Sequence, residues 1–147
     1  MAARDRRPVI FLAFANDRED GTHHLRNLAE ETRRVWALLD SSETRRLCEP
    51  ITRQNATRDD IFRVFEDDRY RGRIAVFHFG GHAGGSEVMV ETAEGAQTPL
   101  QAGPLADFLG SQEGLRLVFL NGCSTDPQVE RLLAAGVPAV IATTAAV

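Results

Sequence analysis

The sequence predicts an α/β fold with a mostly parallel central sheet and helices on both faces. Short apolar runs, long enough only for strands, alternate with longer segments that have the periodicity of helices. Two of these runs, residues 9–15 and 73–79, are almost continuously apolar, which is typical of strands covered on both faces. Regular alternation of strand and helix favours right-handed crossovers between parallel strands.

The first half of the chain supplies three strands and two helices. The apolar run at 9–15 predicts the first strand, and residues 24–39 carry leucines at near-helical spacing that predict an amphipathic helix. Residues 47–53 alternate imperfectly and predict a weaker strand. A second helix opens at Thr57, a capping residue followed by two aspartates. Residues 73–79, bounded by glycines, predict the third strand.

The second half adds a hairpin and completes the sheet. Residues 87–91 and 96–100 flank a short turn and predict a hairpin, followed by a short helix near 105–109. A fourth strand is expected at 115–120, a helix at 126–135 and a fifth strand at 139–143. The 147 residues fit a single domain with one substantial core.

Composition narrows the function classes. The 17 basic residues are all arginine and the net charge is −4, which disfavours nucleic acid as a partner. Without lysine, a P-loop lysine, a Schiff base and a Ser-Lys dyad are excluded. No apolar run approaches the ~20 residues of a membrane span, and no secretory leader is recognisable. We therefore expect a cytoplasmic bacterial protein without a membrane partner, with its two cysteines, Cys48 and Cys123, reduced.

Reactive residues follow two of the predicted strands. His82 lies within a glycine-rich run after the third strand, and Cys123 follows the fourth strand directly. In parallel sheets, the loops at the carboxyl ends of strands gather in one crevice. The glycines are expected to let a substrate backbone approach closely or to adopt positive φ. The helix after Cys123, with Asp126 as expected cap and a capping box from Thr125 and Gln128, would favour a thiolate.

Two motifs resemble a known family. HFGGHAGG at 78–85 and VFLNGCST at 118–125 resemble the CHAT subgroup of the caspase-like cysteine peptidases. The segments VIFLAFAN near the start and GVPAVIATTAAV at 136–147 are also similar to that subgroup. The resemblance covers almost the whole chain. It implies a three-layer caspase-like fold whose hairpin is inserted between the strands that carry histidine and cysteine.

The resemblance implies a cysteine endopeptidase, a hydrolase with a bacterial signalling or defence role. Cys123 would attack the scissile carbonyl, and His82 would act as general base and then protonate the leaving amine. The backbone N–H groups of Ala83 and Cys123 would form the oxyanion hole. The partner is a protein substrate, and no metal or organic cofactor is implied.

The family pattern also assigns a specificity pocket. Asn121, two residues before the cysteine, would line it, and Asn16 and Asp17 would lie nearby at the end of the first strand. Asn121 is neither the acid of arginine-specific relatives nor the glutamine of aspartate-specific caspases. A neutral or apolar side chain is therefore expected next to the scissile bond.

The family domain continues beyond the fifth strand, so residues 1–147 are expected to form one caspase-like domain that lacks a C-terminal helix and strand. A regulatory or completing protein chain is then an expected partner. The main alternative is a noncatalytic caspase-like scaffold module. A thiol-dependent acyltransferase or amidase acting on small molecules is a third possibility, since fold does not fix function.

Two other sites remain open from the residues alone. His78, His82 and Cys123 could form part of a zinc site, although a fourth ligand is missing and His78 is expected to be structural. The glycine run could hold a phosphate at a helix N-terminus. No Gly-Lys-Ser/Thr sequence follows it, however, and a hairpin is expected there instead.

Overall fold

A computed structural model describes residues 5–22 and 24–144. The strands are β1 (Val9–Phe14), β2 (Glu49–Arg53), β3 (Ile74–Gly80), β4 (Glu87–Glu91), β5 (Gln97–Gln101), β6 (Leu117–Asn121) and β7 (Ala139–Ala142). The helices are α1 (Leu28–Leu39), α2 (Ser42–Leu47), α3 (Arg58–Glu66), α4 (Ala102–Gly110) and α5 (Pro127–Ala134).

The central sheet has five parallel strands in the order β2-β1-β3-β6-β7. Strand β1 therefore pairs with both β2 and β3, and β3 pairs with β6. The register between β3 and β6 ends with Gly80 opposite Asn121. The predicted parallel α/β fold is confirmed, and its register brings the ends of the two strands before the reactive residues together.

Helices cover both faces of this sheet, which gives three layers. On one face, side chains of α3, α4 and α5 share a core with alternate residues of β1, β3 and β6. The rings of Phe11, Phe65 and Phe77 pack within 5.4 to 5.8 Å of one another in this core. On the other face, Leu28 of α1 packs with Leu12 and Phe14 of β1. Alternation along β1 thus assigns its side chains to two separate cores.

The expected hairpin is confirmed as the antiparallel pair β4 and β5. It lies between β3 and β6 in sequence, and Val88 and Val90 are buried in the larger core. Backbone hydrogen bonds attach β4 to the rest of the domain. The Met89 N–H donates to the His82 carbonyl, the Glu87 carbonyl accepts from the Gly84 N–H, and the Glu91 N–H donates to the Ala56 carbonyl. The hairpin therefore packs beside the histidine loop.

The first helix begins later than predicted. The expected start was residue 24, but α1 begins at Leu28, because the Asn16 side chain holds Leu25 by accepting from its N–H and donating to its carbonyl. Helix α2 was not predicted. Its cap, Ser41, accepts from the Thr44 N–H, and the strand expected from residue 47 consequently begins at Glu49. No helix in the described ranges is long and apolar enough to span a bilayer.

Candidate active site at the ends of strands β3 and β6

The two candidate catalytic residues occupy equivalent places on neighbouring strands. His82 and Cys123 each lie two residues beyond the paired residues Gly80 and Asn121. The Gly81 N–H donates to the Asn121 carbonyl at 3.2 Å, which extends the pairing one step past β3. Both side chains are partly exposed. The sheet register therefore places the histidine and cysteine loops side by side and open to solvent.

Glycine is required where these loops touch. A methyl group at position 122 would lie 2.6 Å from the Ala83 Cβ and 2.7 Å from the Gly81 carbonyl oxygen. A methyl group at position 81 would lie 2.5 Å from the Ala15 carbonyl oxygen at the end of β1. The prediction that the glycine run adopts positive φ was wrong for 80–85, since none of its glycines has a positive φ. They allow segments of chain to pack closely instead.

Two backbone N–H groups are available as oxyanion donors. Ala83 pairs with Val88 in an antiparallel bridge in which the two residues exchange no hydrogen bond. The bonds on either side of it run from the Met89 N–H to the His82 carbonyl and from the Gly84 N–H to the Glu87 carbonyl. Within the described residues, neither the Ala83 N–H nor the Cys123 N–H donates to a protein acceptor. Because the Ala83 backbone also lies against Gly122, both donors belong to the junction of the two loops.

The turn after Cys123 has an unusual backbone and differs from the predicted cap. Ser124 has a φ of 50°, a left-handed conformation that is uncommon outside glycine. The predicted capping box was wrong, because the Thr125 hydroxyl donates to the Leu120 carbonyl and accepts from the Thr143 N–H. Asp126 occupies the cap position but makes no side-chain cap bond. The threonine thus fixes the cysteine turn against β6 and the residue after β7.

Helix α5 also holds the histidine loop. Gln128 is 2% exposed, and its side-chain amide donates to the carbonyls of Gly84 and Glu87 at 2.6 and 3.1 Å. A methyl group at Gly85 would lie 3.1 Å from Pro127. The helix that follows the cysteine therefore packs directly on the loop that carries the histidine, which couples the positions of the two loops.

A carboxylate lies beside the strand end before Cys123. The Asn121 side-chain amide donates to Glu31 of α1, in a short contact. The Nε2 atom of His78 lies 3.9 Å from the same carboxylate oxygen. Burial lowers the pKa of His78 from 6.5 to about 4, so its imidazole is neutral at pH 7. His78 is therefore a buried residue of the sheet face rather than a group that gains charge beside the cysteine.

A cleft of about 130 Å³ adjoins Cys123. The strand ends form one wall and the start of α1 forms the other, with lining from Leu25, Arg26, Asn27, Leu28, Glu31, Gly81, Asn121, Gly122 and Cys123. Asn121 thus lines the space next to the cysteine. Asn16 and Asp17 are buried and do not line this cleft.

Asn16 instead holds the loop that lines the cleft. Besides its bonds to Leu25, it donates its backbone N–H to the Glu91 carboxylate at 3.2 Å. The Glu91 side chain is fully buried and forms an ion pair of 3.2 Å with Arg18. A carboxylate from the hairpin therefore anchors the segment after β1, while Asp17 accepts from backbone N–H groups of its own turn.

The structure gives no support to the two other sites that the sequence left open. In the part of the chain that is described, no three histidine, cysteine or acidic side chains are grouped as a metal site would require. His78 contacts the rings of Phe14 and Phe119, which agrees with its expected structural role. The glycine run leads into a bridge and then β4, so no helix N-terminus follows it to receive a phosphate.

Sequence reasoning missed Glu31 and Glu91, and it gave Gln128 a capping role instead of its bonds to the histidine loop. Glu31 lies in the first turn of α1, where acidic residues are common for helix stability, so its contact with a distant strand end gave no sequence signal. Glu91 ends a strand, and its burial depends on Arg18 from a loop 73 residues away.

Comparison of the chain with protein-family models and with curated proteins finds no match to either.

Proposed function

We propose that this protein is a caspase-like cysteine endopeptidase of the CHAT type, with Cys123 as nucleophile and His82 as general base. The observation that carries the proposal is the register of β3 and β6. Because these strands end opposite each other, the histidine and cysteine loops begin side by side. The motif resemblance supplies the chemistry. The proposed biological role is a bacterial, cytoplasmic proteolytic switch acting on a protein target, with a regulatory or completing chain as a further partner.

The proposed reaction uses the two loops and the N–H groups between them. The Cys123 thiolate attacks the scissile carbonyl carbon, and the N–H groups of Ala83 and Cys123 donate to the developing oxyanion. The His82 imidazolium then gives its proton to the leaving amine, which leaves a thioester on Cys123. His82 next takes a proton from water, the resulting hydroxide attacks the thioester, and the acid product departs with the thiolate restored.

Three further features support this arrangement. Gln128 and Gly122 join the two loops through a hydrogen-bonded amide and a close backbone contact. The left-handed Ser124 turn directs the chain away immediately after the nucleophile, and such backbone strain is frequent at functional sites. The adjoining cleft offers a space for one substrate side chain.

The proposal is tested by incubating the full-length protein with a fluorogenic peptide library varied at the residue before the scissile bond. Cleavage is expected for the wild type and for Cys48→Ala, because Cys48 is a buried cysteine outside the site. Cys123→Ala and His82→Ala are expected to lose cleavage while retaining the wild-type circular dichroism spectrum.

Absence of cleavage by the wild type across the library and with candidate protein targets would favour the noncatalytic scaffold alternative. Turnover of small thioesters or amides without peptide cleavage would favour the acyltransferase or amidase alternative. Cleavage that persists in Cys123→Ala would exclude this thiol as the nucleophile.

A further inference from the structure

The cleft beside Cys123 has a charged group in its wall. Glu31 projects from the first turn of α1 and is one-third exposed at its side chain. Its carboxylate accepts from the amide of Asn121, which lies two residues before Cys123. The carboxylate is therefore attached to the same strand end that carries the thiol.

Glu31 has only uncharged partners among the described residues. The two arginines that follow it on α1, Arg33 and Arg34, pair with the neighbouring Glu30 instead. The remaining polar neighbour is the buried imidazole of His78, which is neutral at pH 7 because burial lowers its pKa to about 4. The cleft thus contains a carboxylate that forms no ion pair with a described arginine.

A second charge lies in the lining of the same cleft. Arg26 is exposed in the loop before α1 and also lines the cleft. It forms no ion pair in the described part of the chain. Unlike Glu31, Arg26 makes no hydrogen bond to Asn121 among the described residues. The hydrogen bond between Glu31 and Asn121 joins the negative charge to the strand end that precedes Cys123.

We propose that this cleft is the specificity pocket and that Glu31 selects arginine or lysine as the residue whose carbonyl Cys123 attacks. The inference rests on the proposed peptidase function. A cationic side chain of the substrate would form an ion pair with the Glu31 carboxylate. A hydrogen bond between charged groups is stronger than one between neutral groups. This substrate class differs from the neutral or apolar one expected from Asn121 alone, because the acid comes from a helix remote in sequence.

The test uses peptidyl acyloxymethyl ketones that differ only in the residue next to the ketone: arginine, its neutral isostere citrulline, leucine or aspartate. The rate of covalent labelling of Cys123 in the full-length protein is measured by intact mass and peptide mapping. Arginine is expected to label roughly 10- to 100-fold faster than citrulline, the range that corresponds to one hydrogen bond to a charged group. Glu31→Gln, which keeps an acceptor for Asn121, is expected to abolish that ratio.

Glu30→Gln is the matched control, because Glu30 precedes Glu31 on the same helix and pairs with surface arginines. It should leave the ratio unchanged. Equal labelling by all four ketones, or a preference for arginine that survives Glu31→Gln, would overturn the inference and leave the peptidase proposal standing. Preference for aspartate that disappears in Arg26→Gln would assign the pocket to acidic residues. If no ketone labels Cys123 while iodoacetamide does, the peptidase proposal fails and the inference with it.

Discussion

The buried His78 makes the stability of the fold depend on pH. Its side chain is 6% exposed between the rings of Phe14 and Phe119, at centroid distances of 5.4 and 4.9 Å, and its Nδ1 atom has no hydrogen-bond partner. Burial lowers its pKa from 6.5 to about 4. The folded protein therefore resists protonation of this ring, whereas the unfolded chain accepts a proton below pH 6.5.

The size of the effect follows from the two pKa values. The contribution of neutral His78 to the free energy of unfolding is fully present above pH 6.5. It is lost as the pH falls towards about 4, because the unfolded chain binds the proton first. A difference of one pKa unit is worth about 1.36 kcal/mol. The complete loss is therefore about 3 kcal/mol, and linkage gives about 2 kcal/mol of it by pH 5.

The assay is urea unfolding at pH 8 and at pH 5, comparing the wild type with His78→Phe. Phenylalanine keeps a ring between Phe14 and Phe119 but does not titrate. The wild type is expected to lose about 2 kcal/mol more than the variant between the two pH values. Because other histidines and the carboxylates titrate in both proteins, their effects cancel in the comparison. Equal losses in the two proteins would refute the assignment of His78 as a neutral buried residue.

Three other substitutions test the contacts that shape the site, each by urea unfolding at pH 7. Gly122→Ala should destabilise the fold by about 1–3 kcal/mol and slow alkylation of the adjacent thiol, whereas Gly21→Ala, with open space around it, should do neither. Ser124→Gly should stabilise by about 0.5–1 kcal/mol by relieving the positive φ; a loss would show that the turn is not strained. Glu91→Gln should cost about 1–3 kcal/mol by removing the buried partner of Arg18, and wild-type stability would contradict that role.

The strands were predictable because their apolar runs are local signals. Residues 9–15 and 73–79 gave β1 and β3 within about a residue at each end, since strands covered on both faces need almost continuous apolar side chains. The start of α1 was not predictable. It depends on Asn16 occupying the backbone groups of Leu25, a contact between segments that no periodicity reveals.

The sequence was enough to predict which loops carry the candidate site, but not which side chains surround those loops. Placing His82 and Cys123 after neighbouring strands needed only the parallel sheet and the ligand-binding crevice at the carboxyl ends of its strands. Asp126 occupies the predicted cap position, but the capping box was wrongly predicted because the Thr125 hydroxyl donates to Leu120. The partnership of Glu31 with Asn121 spans 90 residues, so only the folded chain brings it into view.

The central claim, that His82 and Cys123 act as one catalytic pair, is tested most directly by the alkylation rate of Cys123. Iodoacetamide is added at pH 7 to the wild type and to His82→Ala, and peptide mapping separates Cys123 from the buried Cys48, which serves as the internal reference. Our account predicts that Cys123 reacts much faster than Cys48 and that its rate falls at least tenfold in His82→Ala while the rate of Cys48 is unchanged. An equal Cys123 rate in both proteins would contradict it.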